Sequence, residues 1–238
     1  MGVYRNIPRG GGYARPGDAA PGRHTNFGDA HEVMVGLGNH NVADEGSYFT
    51  AITPTPGTGI IDAAVVTFAE TTPSLTIYNG SSDKRLVLDF IRFTVTVVST
   101  NATPGNVAFT NSIDAGHRWT SGGTSLTING AGTDAVVAPA GISIRKGAIA
   151  AKAATGDRKV ISHTIYRWAA IEVVGDVYEM VFGRGYANSI TNVATVGTFS
   201  RSVPPVVIGP NQSFVQVNWA TDVSTGATHA VELGYWLR

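Results

Sequence analysis

Val203-Pro-Pro-Val-Val-Ile-Gly-Pro-Asn-Gln-Ser-Phe-Val-Gln-Val-Asn-Trp-Ala-Thr-Asp222, with the closing Glu232-Leu-Gly-Tyr-Trp-Leu-Arg238, decides the fold class. Short runs of Val, Ile, Phe and Trp broken by Gly-Pro-Asn read as strand, turn, strand, turn, strand. Proline cannot donate to a ladder, so Pro204-Pro205 is expected at a sheet edge or just ahead of a strand.

Working back toward the N-terminus, the same texture recurs. Leu86-Val-Leu-Asp-Phe-Ile-Arg-Phe-Thr-Val-Thr-Val-Val98 is the longest strand expected. Its apolar positions alternate as Leu86, Leu88, Phe90 and then Phe93, Val95, Val97, so the phase slips once across Ile91-Arg92, as a β-bulge would require. Further strands are expected at Ile60–Phe68, Ser74–Tyr78, Val107–Ile113, Ile142–Ala150, Lys159–Trp168 and Val193–Phe199. A Gly, Ser and Thr loop is expected over Trp119–Thr124, and a hairpin or loop turning on Asn129-Gly130. Ile171–Val177 is ambiguous, and no segment has convincing helical periodicity. Ser74-Leu-Thr-Ile-Tyr-Asn-Gly80 and Ser125-Leu-Thr-Ile-Asn-Gly130 look alike, but so short a match reads as shared turn chemistry rather than a repeat. The whole is expected to be an all-β sandwich of two antiparallel sheets.

Residues 1–58 differ. Gly10-Gly-Gly12, Arg15-Pro-Gly17, Ala20-Pro-Gly22 and Thr53-Pro-Thr-Pro-Gly57 interrupt any helix or strand, and little apolar side chain precedes Val33. Such a segment buries too little to offset its ordering entropy alone, so it is read as an extended arm, either mobile or laid on a partner. Tyr4, Ile7 and Tyr13 are its candidate anchors, and Arg5, Arg9, Arg15 and Arg23 give it a positive bias. Residues 59–238 are read as the sandwich domain.

Composition narrows the function classes. The 238 residues carry equal numbers of acids and bases, 17 of each, so no net charge pulls the chain toward nucleic acid or an anionic membrane. With only 14% charged residues, a surface hidden in an assembly is favoured over a free monomer. Cysteine is absent, which removes disulfides, thiolate metal sites and thiol nucleophiles. The first residues lack the apolar core of a secretory signal, and no run approaches the ~18 apolar residues of a membrane span. A protein made in the cytoplasm is expected. Met1-Gly2 leads to Asn6, where a myristoylation signal needs Ser or Thr.

Reactive motifs are sparse. His24, Asp29, His31, Glu32 and His40 are the densest possible metal ligands, but they sit in the arm and read as scatter in a polar segment. His117, His163 and His229 fall in separate loops or strands. No Gly-X-Ser-X-Gly elbow exists, and Gly36-Leu-Gly38 and Gly183-Arg-Gly185 lack the rest of a dinucleotide fingerprint. Asp89, Glu172, Asp176 and Glu179 are read as turn residues or solvated strand faces rather than a glycosidase pair. The triplets at Asn79, Asn101 and Asn211 match glycosylation acceptors but, without a secretory signal, carry no weight. No enzyme activity, metal or cofactor is expected. Trp168, Trp219 and Trp236 are assigned to core or interface packing. Trp119, beside His117 and Arg118 in a polar stretch, is the candidate for exposed contact with a partner or a glycan.

Pro73-Ser-Leu-Thr-Ile-Tyr-Asn-Gly80, Arg85-Leu-Val-Leu-Asp-Phe-Ile-Arg-Phe-Thr-Val95, Pro204–Phe214 and Glu232–Arg238 together resemble jelly-roll virion proteins of tailed bacteriophages. The resemblance spans Ile60 to Arg238 and is one of pattern rather than of a diagnostic motif. It implies a jelly-roll sandwich that oligomerises, commonly as a homotrimer, on the capsid exterior as a cement or decoration protein, or sits at a tail or vertex. The implied partners are further copies of the chain and the major capsid protein or another virion protein, and the implied location is the virion. The arm, with Tyr4, Arg5, Ile7, Arg9, Tyr13 and Arg15, and the loop residue Trp119 are the expected partner contacts.

Overall fold

Leu75 and Ile77 in one run, and Ile91, Phe93 and Val95 in another, put apolar side chains on every second residue, and each set is buried. That period-two pattern builds the protein. The computed structural model describes residues 43, 46–98, 106–132, 139–167, 172–183, 198–220 and 226–238. In chain order the strands are β1 (Tyr48–Ile52), β2 (Ile60–Ile61), β3 (Leu75–Asn79), β4 (Leu86–Val97), β5 (Asn106–Ala115), β6 (Trp119–Ser125) and β7 (Thr127–Gly130). They continue with β8 (Ile142–Ala151), β9 (Lys159–Arg167), β10 (Val177–Phe182), β11 (Thr198–Val203), β12 (Val207–Ile208), β13 (Gln212–Ala220) and β14 (Thr228–Leu237).

Two sheets pack together as an all-β sandwich. The first runs β11-β10-β4-β14-β1-β7, with β12 beside β4 and β2 beside β14; the second runs β6-β8-β3-β13-β5-β9. The consecutive strands β13 and β14 lie in different sheets, as do β4 and β5, and β4 pairs β14 while β5 pairs β13. A two-stranded ribbon therefore crosses from one layer to the other, and its inner faces supply Phe93, Phe109, Phe214 and Leu233 to one shared core. One pair departs from the antiparallel expectation: β10 and β11 run parallel, from Val177↔Thr198 to Phe182↔Val203.

β4 contains the expected phase slip, two residues earlier than alternation alone puts it. Gly234 of β14 pairs with Phe90 and Tyr235 with Leu88, which leaves Asp89 as the extra residue of a bulge. A second shift leaves Thr96 unpaired between Val95 and Val97.

Other expectations need correction. Tyr48–Ile52, inside the segment read as arm, is a strand between β14 and β7, with Tyr48, Phe49 and Ala51 buried. The Pro and Gly residues that follow obscured it. Of the run expected from Ile60, only Ile60–Ile61 joins a ladder. Trp119–Ser125 is an edge strand rather than a loop: Gly122 and Gly123, both at positive φ, bend it where it shifts register against β8. Thr127–Gly130 pairs with β1 instead of turning a local hairpin. Val177 opens β10, and Thr198 opens β11; residues 193–197 lie outside the described residues. Pro204-Pro205 stand off the ladders between β11 and β12, as the chemistry of proline demands.

Candidate functional site

Inward alternation at Leu75 and Ile77 of β3 turns Tyr78 to the outer face of the second sheet, and the inward Ile144 and Lys146 of β8 do the same for Arg145. Between β5 and β6 the chain turns at Gly116, at φ 75°, and presents His117 and then Trp119 over that face. The Tyr78 and His117 rings lie 4.2 Å apart, His117 and Trp119 5.9 Å apart, and the Arg145 guanidinium sits 4.0 Å above the Trp119 ring. Tyr78 Oη donates to Asn211 Oδ1 at 3.2 Å, and Trp119 Nε1 donates to the Gly122 carbonyl at 2.9 Å.

The electrostatics of this stack favour an uncharged imidazole. Burial lowers the His117 pKa below the ordinary histidine value, and the charges of Lys152 and Arg145 lower it further. His117 Nε2 and Arg145 Nε are buried without a hydrogen-bond partner. Flat ring faces capped by a guanidinium suit stacking against a partner side chain or a sugar ring.

Beneath the stack, Arg118 holds the turn. Its Nη1 pairs with Asp114, Nε donates to the Lys152 carbonyl at 2.9 Å, and its backbone N–H meets Ser213 Oγ at 3.2 Å. Asp114 also accepts from the Thr155 hydroxyl and from the Thr155 N–H at 3.0 Å. Burial pushes Asp114 up, but the Thr155 hydrogen bonds and Arg118 outweigh it and hold the carboxyl below its usual range. Glu70 completes the knot, taking the Ala154 N–H at 3.2 Å and pairing with Arg158. Trp119 therefore projects from a tied base rather than a loose loop.

A second polar knot lies between the sheets. Asp62, just after β2, pairs with Lys146 of β8, accepts from Asn218 Nδ2 at 3.3 Å, and meets His229 Nδ1 of β14 at 3.2 Å. The whole group is enclosed. Sequence reading did not assign it, although Lys146 keeps the parity of Ile142 and Ile144, and His229 that of Val231, Leu233 and Tyr235. His229 is thus buried.

The carboxylates read as turns or solvated faces are also corrected. Asp89, Glu172 and Asp176 are buried. Tyr48 Oη donates to Asp89 at 2.8 Å, and the Val173 N–H to Asp176 at 2.9 Å. The bulge sets Asp89 against the Tyr48 hydroxyl on the outer side of the first sheet, and packing encloses the others. Glu179 bonds Arg92 and Ser200 across the outer face of the first sheet.

Of the expected contact residues, Trp119 joins the stack described above. Tyr4, Arg5, Ile7, Arg9, Tyr13 and Arg15 lie outside the described residues, as do Trp168 and the arm histidines His24, His31 and His40. Trp219 and Trp236 are half-buried: Trp219 stacks on His163 at 5.8 Å, and Trp236 on Tyr48 at 6.3 Å. Among the described residues, no group of three or more His, Asp or Glu is placed to hold a metal ion. Compared with protein-family models, with curated proteins and with solved structures, the chain shows no match.

Proposed function

We propose that this chain is a non-enzymatic structural protein of a bacteriophage particle, a jelly-roll sandwich that forms homotrimers on the capsid exterior and cements the shell through residues ahead of β1. One observation supports this reading above others. The segments that resemble virion jelly rolls take in β3, most of β4, the second half of β14 and the turn that leads from β12 into β13; β3, β4, β13 and β14 form the middle of both sheets, so much of the likeness falls on the framework. Extended arms that add a strand to a neighbour or cross a subunit boundary turn a weak surface contact into a durable one. Deleting residues 1–40 should leave a folded oligomer that no longer attaches to particles; retained attachment overturns the clamp.

The stack of Tyr78, His117, Trp119 and Arg145 favours a second reading, a tail- or vertex-associated module that binds receptor or glycan. Specific sugar binding on a glycan array, lost in Trp119→Ala, supports that module over a cement protein.

A further inference from the structure

The knot between the sheets holds an amine and a carboxyl in contact and away from water. Lys146 is 0% exposed, Asp62 6% and His229 5%. Lys146 comes from the second sheet, while Asp62 follows a strand of the first. Asp62 is seated tightly: its N–H donates to the Ala227 carbonyl at 3.0 Å, and a Cβ on Gly226 would lie 1.7 Å from its own carbonyl oxygen. Lys146 Nζ occupies Oδ1, whereas His229 and Asn218 share Oδ2. The Phe93 ring lies 5.0 Å from Nζ and 5.8 Å from the His229 ring, so the space beside the pair is apolar.

We propose that Lys146 and Asp62 condense into an intramolecular amide, joining Nζ to Cγ and cross-linking the two sheets. A proton first passes from the ammonium to the carboxylate, giving a neutral amine and acid; burial pushes both groups toward these forms, against the attraction of the ion pair. The Nζ lone pair then adds to Cγ. His229 Nδ1, beside Oδ2, passes a proton to that oxygen and regains one from the nitrogen. The proton that the carboxyl took from the ammonium moves to Oδ2 as the Cγ–Oδ2 bond breaks, so Oδ2 leaves as water, carrying two of the three protons that Nζ began with. One proton stays on the amide nitrogen, no atom changes oxidation state, and no further reactant is needed.

Three observations carry the step. Holding amine and carboxyl together raises their effective concentration to the order of 10⁵–10⁸ M. Burial lowers the pKa of Lys146, only partly opposed by Asp62, so its amine is more available than an ordinary lysine's. Asn218 Oδ1, buried without a partner, can accept the remaining N–H of the new amide. The other ion pairs described here contrast with it: Asp114, Glu70, Glu179 and Glu232 all pair with arginine, whose guanidinium is no nucleophile. The knot stands apart from the Trp119 stack, so this bond and the assembly reading fail separately.

Intact mass of the full-length protein under denaturing conditions tests it. The expected mass is one water below that of the sequence, and digestion should yield a branched peptide joining the Asp62 and Lys146 segments. Lys146→Met, similar in length and free of the amine, should return the full mass. A wild-type protein at full sequence mass overturns the proposal, as does a branched peptide joining Lys146 to Asn218 with loss of ammonia. So does a Lys146→Met protein still one water short. The wild-type measurements decide the matter even where the variant does not fold.

Discussion

The two faces of β4 and β14 carry the same chemistry at opposite exposures. Inside, Asp62, Lys146 and His229 are sealed between the sheets; outside, Arg92 bridges Glu179 and Glu232 at 2.8 and 2.9 Å with 40% of its side chain exposed. Water solvates the outer charges in any conformation, so folding changes little for them. The inner charges lose that solvation, and each becomes dependent on its partner. Equal geometry thus yields a replaceable surface row in one place and an obligatory tie in the other.

The largest effect should follow from breaking the inner tie on one side. Lys146→Ala leaves Asp62 buried without its main counter-charge and should lower unfolding free energy by about 3–5 kcal/mol in urea titration. A loss under about 1 kcal/mol would erase the distinction between the faces.

Acid should separate them next. Burial pushes the Asp62 carboxyl up, but the charges of Lys146 and His229 outweigh it and leave it below the ordinary aspartate value of 3.8; Asp114 is likewise lowered. A depressed folded value means these carboxylates stabilise fully above the unfolded value and lose that contribution as pH falls through the folded one. The urea midpoint should stay level down to about pH 4 on this account and fall below it, with a shallower fall in Asp114→Asn. With the Lys146 amide in place Asp62 no longer titrates, and Asp114 alone carries its share of the step.

The outer row should respond least. Arg92→Ala should cost no more than about 1 kcal/mol, and less in high salt, because exposed pairs are screened. Trp119→Ala should change stability by under about 1 kcal/mol, since its side chain lies outside the main core, yet weaken partner or glycan binding. Equal melting with equal binding would remove the stack from consideration as a contact surface.

Much of the framework was legible because strand alternation is local. β3, β4, β5, β8, β9 and the closing strands follow from Val, Ile and Phe at every second position, and the bulge in β4 announced itself as a slipped phase. β1 was hidden by the Pro and Gly around it, and β6 by its own glycines, since both take their strand form from a neighbour rather than from propensity. Lys146 and His229 carried a readable sign, inward parity, that their polarity discouraged. Asp62 carried none, and neither did the meeting of Tyr78 and Arg145 with Trp119, because each partner comes from a different strand.

Sequence by itself determined that this is a β-sandwich, that its core is built from alternating Val, Ile, Leu and Phe, and that thiol chemistry is absent. Tertiary structure alone decided which charges are buried, which pair, and which aromatic rings stack. Side-chain alternation depends on the two-residue repeat of the backbone, whereas desolvation and pairing depend on what the opposite sheet brings within a few ångströms, and no local pattern encodes that.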